Sequence, residues 1–364
     1  MLLSLTLLAA STTALSGVTR RQLGQGVIGG AAAPVKDAVA ATPDEVFLPE
    51  PGSLKGKVVL ITGANTGLGL ESAKRLASGG ATVIGTARSE AKAEALEAQV
   101  RDAVPDAEVR GVVVDLASLE SIRSFPRLLD VDAIDVLMNN AGVMAIPERR
   151  STVDGFERQI GVNFLGHFAL TAVLLPLLKK RSTFRIINVS SSANFGASRG
   201  AMREALESPS LEPNEYSQWG TYCLSKAMNI MFSTELQRRL DDQKIKASVV
   251  SLHPGAVATD LARYLVGGAD AASTKDAVAS AGPFLEFFLK ALSFAVLPVD
   301  RGANTQVFLA ANADNAPNPD DFSLHGGLYY DSMKPTKPND ITRDPVLVAT
   351  LWRRATELTG FTMM

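Results

Sequence analysis

The chain has 364 residues, enough to bury a large core as one α/β domain or two smaller ones. Its 36 Lys and Arg are balanced by 38 Asp and Glu with no basic run, which argues against a nucleic-acid partner. A single cysteine, Cys223, excludes an intramolecular disulfide, and His167, His253 and His325 lack metal-ligand spacing, so no metal is expected.

Residues 2–15 form an apolar run closed by small residues, too short to span a bilayer comfortably and built like the core of a secretory signal. Arg20-Arg21 and a Gly/Ala-rich stretch follow, and no acid appears before Asp37. Residues 1–36 therefore read as a targeting presequence. Two such elements in series suit a plastid, with the endoplasmic reticulum or secretory pathway as the alternative. Residues 37–53, rich in Ala, Pro and acids, read as a linker, and 54–364 as a single folded domain.

From Leu54 short apolar runs alternate with helical patterns, as in a parallel sheet covered on both faces. The first strand, 57–61, runs into Thr62-Gly63-Ala64-Asn65-Thr66-Gly67-Leu68-Gly69, and a helix follows over 70–78. Glycines here let the backbone approach a pyrophosphate, and the helix N-terminus offers N–H groups and a positive dipole end. The spacing Gly-x-x-x-Gly-x-Gly resembles the short-chain dehydrogenase/reductase family.

That resemblance implies a Rossmann-type doubly wound parallel sheet of about seven strands. The second strand, 81–86, ends in Ala87-Arg88 with no acid before Glu90. An acid there would bind the ribose 2′-hydroxyl of NAD, whereas Arg88 suits a 2′-phosphate, so NADP(H) is the expected cofactor. The third strand, 109–114, ends in Asp115-Leu116, which match the family's adenine contact. The fourth, 134–138, ends in Asn139-Asn140-Ala141-Gly142, where the family's chain passes close to the cofactor.

Further matches carry the chemistry. Asn163 matches the family's catalytic asparagine, which distorts its helix and holds a water in a proton relay. The fifth strand, 184–189, delivers Ser190-Ser191-Ser192, of which Ser191 is expected to face a substrate carbonyl, with Ser190 and Ser192 as the alternatives. Tyr222 and Lys226 stand four apart, on one face of a helix. Carbonyl reduction needs a proton donor, and a nearby ammonium is expected to lower a phenol whose free pKa is about 10. In the family this lysine also bonds the nicotinamide ribose. Tyr330 and Lys334 repeat the spacing in a Gly- and Pro-rich stretch, where a helix carrying both is not expected. Cys223 reads as a buried residue of the catalytic helix.

The sixth strand, 247–252, leads to Pro254-Gly255-Ala256-Val257-Ala258-Thr259, the family's nicotinamide-facing motif; Pro254, Gly255, Val257 and Thr259 are the expected contacts. Residues 260–300 are expected to form the substrate loop. Its apolar part, 283–298, reads either as a lid packed on the core or as an entrance for a lipid-like substrate at a membrane surface. Glu286 and Lys290 interrupt it, which argues against a transmembrane helix.

Thirty-one positions separate Ser191 from Tyr222, so an insertion beside the site is expected, with 204–216 as part of its wall. This gap and the sequence around Asn163 are most similar to retinol dehydrogenases and WW-domain-containing oxidoreductases. The resemblance implies an NADP-dependent enzyme interconverting a carbonyl and an alcohol on an apolar retinoid-, steroid- or lipid-like molecule. The alternatives are a protochlorophyllide-reductase-like plastid enzyme and a non-catalytic NADP-binding protein. A homodimer through the long helices beginning near Asn163 and Tyr222 is the family's habit.

Overall fold

The computed structural model describes residues 45–208, 210–211, 215–255, 257, 297–312 and 327–363. The presequence, most of the substrate loop, and Ala256, Ala258 and Thr259 lie outside them.

Apolar runs rich in Val and Ile form strands β1 (Val58–Ile61), β2 (Thr82–Ala87), β3 (Val109–Val113), β4 (Val136–Asn139), β5 (Phe184–Val189), β6 (Ala247–His253) and β7 (Tyr329–Asp331). These pair in parallel in the order β3-β2-β1-β4-β5-β6-β7. A short edge strand, β8 (Lys334–Thr336), returns antiparallel on β7, bringing the described sheet to eight strands.

Neighbouring residues of each central strand enter different cores, which is why these runs show no polar alternation. Leu60, Leu137, Ile186 and Val249 face one core. Val59, Ile61, Val136, Met138, Ile187 and Val250 face the other. The second core is closed by α1 (Gly67–Ser78), α2 (Glu90–Ala103) and, later in the chain, Asn304–Ala311. The first is closed by α3 (Leu119–Ser124), α4 (Arg158–Leu178), α5 (Arg199–Glu207) and α6 (Gln218–Asp242). Numbering the remaining long helices α7 (Asn304–Ala311) and α8 (Pro345–Thr359) completes the layers.

α4 is long and apolar enough to cross a membrane by length and composition, but most of it is buried inside this fold. It serves as a core helix. Its second turn, Gly161–Leu165, widens into a π-helix, the local distortion that the resemblance implied around Asn163. Such bulges recur at functional sites.

α8 lies across α4 and α6. Trp352 meets Phe168 edge-on at 5.2 Å and Phe232 at 6.1 Å, while the Arg239 guanidinium sits 4.4 Å from its ring. The C-terminal helix thus covers the seam between α4 and α6.

The end of the expected linker is part of the fold. Phe47 packs edge-on against Phe308 at 5.5 Å, and its N–H donates to Asn304 Oδ1 at 2.9 Å. Asn304 in turn donates to the Glu45 carbonyl at 2.6 Å. An aromatic residue and a buried amide on α7 fix this segment, partners that composition alone does not announce.

Candidate active site

The sheet order reverses between β1 and β4, and ligands of open α/β sheets bind beyond the strand ends at such a switch point. A cleft of about 390 Å³ lies there. Its walls hold Gly63, Asn65, Thr66, Gly67, Leu68 and Gly69 from the turn, Arg88 after β2, Asp115 and Leu116 after β3, and Asn140, Ala141 and Gly142 after β4.

The turn is shaped for close backbone approach. A Cβ on Gly69 would stand 2.4 Å from the Gly63 carbonyl oxygen and 2.6 Å from Asn140 Nδ2, so no larger residue fits. Gly63 and Gly67 both take left-handed backbone angles, at φ +64° and +56°. No acid occupies the first turn of α1, which leaves the positive end of its dipole directed at the cleft.

β4 is held to β1 by side chains as well as backbone. Thr62 Oγ1 accepts the Asn140 and Ala141 N–H groups, each at 2.9 Å, and Asn140 Nδ2 donates to the Thr62 carbonyl at 2.8 Å. Asn139 Nδ2 donates to Asn188 Oδ1 at 2.8 Å, joining β4 to β5. Asp115 lines the cleft while its carboxylate accepts the Ala117 N–H at 3.0 Å.

Beside this cleft the structure brings together Asn163, Ser191, Tyr222 and Lys226. Asn163 is fully buried: its Oδ1 accepts the Val143 N–H at 2.8 Å, and its Nδ2 donates to the Val143 carbonyl at 2.9 Å and to Ser225 Oγ at 3.0 Å. Gly142 passes between two of these groups. A Cβ there would lie 3.2 Å from Asn163 Oδ1 and 3.5 Å from Lys226 Nζ.

Of the three serines, Ser191 is the one whose side chain acts on the Tyr222 phenol, favouring its ionised form. Ser190 is buried and donates to the Lys226 carbonyl at 2.7 Å, and Ser192 is exposed. Tyr222 and Lys226 are both buried on α6, in adjacent turns of one face.

Burial pushes the Tyr222 phenol up to about 12, with the Ser191 hydrogen bond opposing it. The expected lowering by Lys226 does not appear. The Lys226 ammonium lies 5.7 Å from the Tyr222 ring centre, over the face of the ring, and donates to the Val189 carbonyl at 3.0 Å. Desolvation pushes Lys226 itself down to about 8. Burial thus dominates at both groups, and each is held toward its neutral form.

The family pattern described as short chain dehydrogenase matches residues 57–202. The mouse protein "Retinol dehydrogenase 13" is 35% identical over 341 residues, covering 93% of this chain and 92% of its own. The chain belongs to the short-chain dehydrogenase/reductase family. Among solved structures, an uncharacterised protein from Mycobacterium paratuberculosis is 31% identical at a TM-score of 0.64, covering 89% of this chain and 99% of its own. The 3-ketoacyl-(acyl-carrier-protein) reductase of Brucella melitensis, solved with NADH, is 25% identical at a TM-score of 0.53, over 76% of this chain and 96% of its own.

In this short-chain dehydrogenase Pro254, Gly255 and Val257 follow β6, Gly255 at φ +84°. Val257 bridges to Leu297, so the chain after β6 meets the segment that leads into α7. The insertion contains α5, and Tyr216 ties it to the loop after β4 by donating to the Ile146 carbonyl at 2.6 Å. Seven further residues line the cleft beyond the expected set: Thr86, Ala87, Lys92, Val114, Val143, Arg158 and Val162. Lys92 lies in the first turn of α2, just beyond Arg88. Arg158 carried no local signal.

Proposed function

We propose that the chain is an NADP(H)-dependent oxidoreductase that interconverts a carbonyl and an alcohol on an apolar small molecule. The observation that carries this reading is the assembly of Ser191, Tyr222, Lys226 and Asn163 beside a glycine-lined cleft at the switch point. The cleft's volume and the close approach at Gly69 and Gly142 fit a dinucleotide. Gly63, Asn65, Thr66, Gly67, Leu68 and Gly69 would cradle its pyrophosphate, Asp115 and Leu116 its adenine, and Asn140, Ala141 and Gly142 its ribose side. Pro254, Gly255, Val257 and Thr259 would meet the nicotinamide, and Tyr222 and Lys226 its ribose. The bound cofactor supplies or takes up the hydride at the reacting carbon.

The protein's own residues manage the proton. Ser191 orients the carbonyl oxygen, and the neutral Tyr222 donates its O–H to the oxygen as charge develops there. A phenol pushed up to about 12 stays protonated at neutral pH, which favours reduction. Lys226 holds ribose, and Asn163 orders the relay that reprotonates the phenol.

Two features support the finer choices. Arg88 and Lys92 both line the cleft, giving a 2′-phosphate two cations where an NAD enzyme would place an acid. Exposed Trp219 stands edge-on to Tyr222 at 6.2 Å, and exposed Phe195 follows Ser191 by one 3₁₀ turn. These aromatic faces, together with the retinol dehydrogenase name of the relatives, support an apolar substrate. The mouse and human relatives come from organisms without plastids and lend no weight to a plastid address. Fluorescent fusions with and without residues 1–36 test that presequence.

The deciding experiment follows NADPH and NADH oxidation with retinal, steroid and aliphatic carbonyls. Turnover of an apolar carbonyl with NADPH preferred is expected, and Arg88→Asp is expected to erase the preference. An unchanged preference in Arg88→Asp overturns the cofactor assignment, and absence of turnover across the panel overturns the enzymatic one.

A further inference from the structure

His167 is one turn beyond Asn163 on α4, outside the proposed set of reacting groups and fully enclosed. Its ring bridges two parts of the site. Nδ1 lies 3.0 Å from the Asn163 carbonyl oxygen, and Nε2 lies 2.9 Å from Thr62 Oγ1.

The hydrogen positions follow from counting lone pairs. Thr62 Oγ1 already accepts the Asn140 and Ala141 N–H groups, so its own hydrogen must point elsewhere. Two acceptors are in reach, Nε2 at 2.9 Å and the Met138 carbonyl at 3.4 Å, and the nearer is the ring nitrogen. Nε2 is then an acceptor, and Nδ1 carries the proton that the Asn163 carbonyl needs. The opposite tautomer would set a lone pair against that carbonyl. Burial pushes the imidazole down to about 4, helped by the nearby Lys226 ammonium, which keeps the ring neutral.

We propose that His167 is a positioning residue that couples the nucleotide-binding turn to the catalytic helix. Its Nδ1–H holds the Asn163 carbonyl within the π-turn, and its Nε2 fixes the Thr62 hydroxyl that grips Asn140 and Ala141. The chain runs from the amides beside the cofactor cleft through Thr62 and His167 to Asn163 without a break. Its kinetic consequence rests on the reading given under Proposed function, whereas the tautomer does not.

Two substitutions separate the ends of the bridge. His167→Asn places an amide N–H near Nδ1, keeping the Asn163 contact and losing the acceptor for Thr62. His167→Gln places an amide oxygen near Nε2, keeping the Thr62 contact and losing the donor to Asn163. NADPH affinity read by fluorescence, and kcat with all-trans-retinal, are expected to split. His167→Asn should weaken NADPH binding roughly two- to tenfold with kcat nearly unchanged, and His167→Gln should lower kcat by a similar factor with binding nearly unchanged. Equal losses in both parameters for both variants, or no loss in either, overturn the proposal. Independently, ¹⁵N spectra of histidine-labelled protein, assigned with His167→Asn, are expected to show a neutral Nδ1–H tautomer from pH 8 to pH 5. An Nε2–H tautomer or a titration near pH 6.5 overturns it even if retinal is no substrate.

Discussion

Two Tyr-x-x-x-Lys pairs stand in this chain, and although both phenols are buried, different elements carry them. Tyr222 and Lys226 lie on one face of the 25-residue helix α6, both buried, with Ser191 acting on the phenol and Gly142 close to the ammonium. Tyr330 lies on β7 and exposed Lys334 on β8, across a hairpin whose two turn residues, Ser332 and Met333, have φ of +49° and +62°. Tyr330 pairs with Pro335, and Lys334 with Asp331. Spacing acquires chemical meaning only from the element that carries it.

Removing each phenol in turn should separate the two pairs most strongly. Tyr222→Phe is expected to lower kcat by roughly 10² to 10⁴, the worth of positioned acid–base catalysis, while Tyr330→Phe stays within a few-fold of wild type. Steady-state rates with NADPH and a reactive carbonyl read the difference, and comparable losses in the two variants would remove the assigned proton donor.

The lysines separate next, in stability. In the unfolded chain Lys226 titrates near 10.5, and in the fold near 8, so the unfolded state binds more protons between these values. Stability therefore rises with pH across that window, and below pH 8 the buried ammonium costs on the order of 3 kcal/mol. Lys226→Met is expected to be inactive yet more stable at pH 7 by chemical denaturation, the gain fading above pH 10. Lys334→Met should change stability by less than about 0.5 kcal/mol, as an exposed substitution does. A destabilised Lys226→Met would mean that its bond to Val189 outweighs its desolvation.

The smallest effect belongs to the hairpin. Both turn residues take the left-handed region that a two-residue type I′ connection requires, and neither is Asn or Gly. Ser332→Asn is expected to stabilise the fold by about 0.5 kcal/mol with kcat unchanged, measured as a rise in Tm.

Much of this was legible beforehand because it is written locally. Apolar runs bounded by Gly, Asn and Ser marked the strands β1 to β6 within one or two residues, and β5 over the same residues, 184–189. The glycine turn and the Asn140–Gly142 bend are each contiguous in sequence, and both line the cleft. What escaped notice is relational. The roles of His167 and Thr62 exist only once residues 105 apart meet, and the anchoring of Phe47 depends on Asn304, 257 positions away. The phenol's pKa went the other way because burial, a property of the whole fold, exceeded the influence of one lysine read from helical spacing. β8 is three exposed residues containing a proline, and no hydrophobic pattern marks it.

The packing of α8 has an evolutionary and practical edge. Trp352 fills the seam between Phe168 and Phe232 with residues from the last twentieth of the chain, so this surface is satisfied in cis. A second copy seeking the same seam must compete with a helix tethered beside it, whose effective concentration a free partner in dilute solution does not reach. Truncation or proteolysis that removes α8 therefore does more than trim an end: it empties an aromatic socket and bares Phe168 and Phe232 at that face.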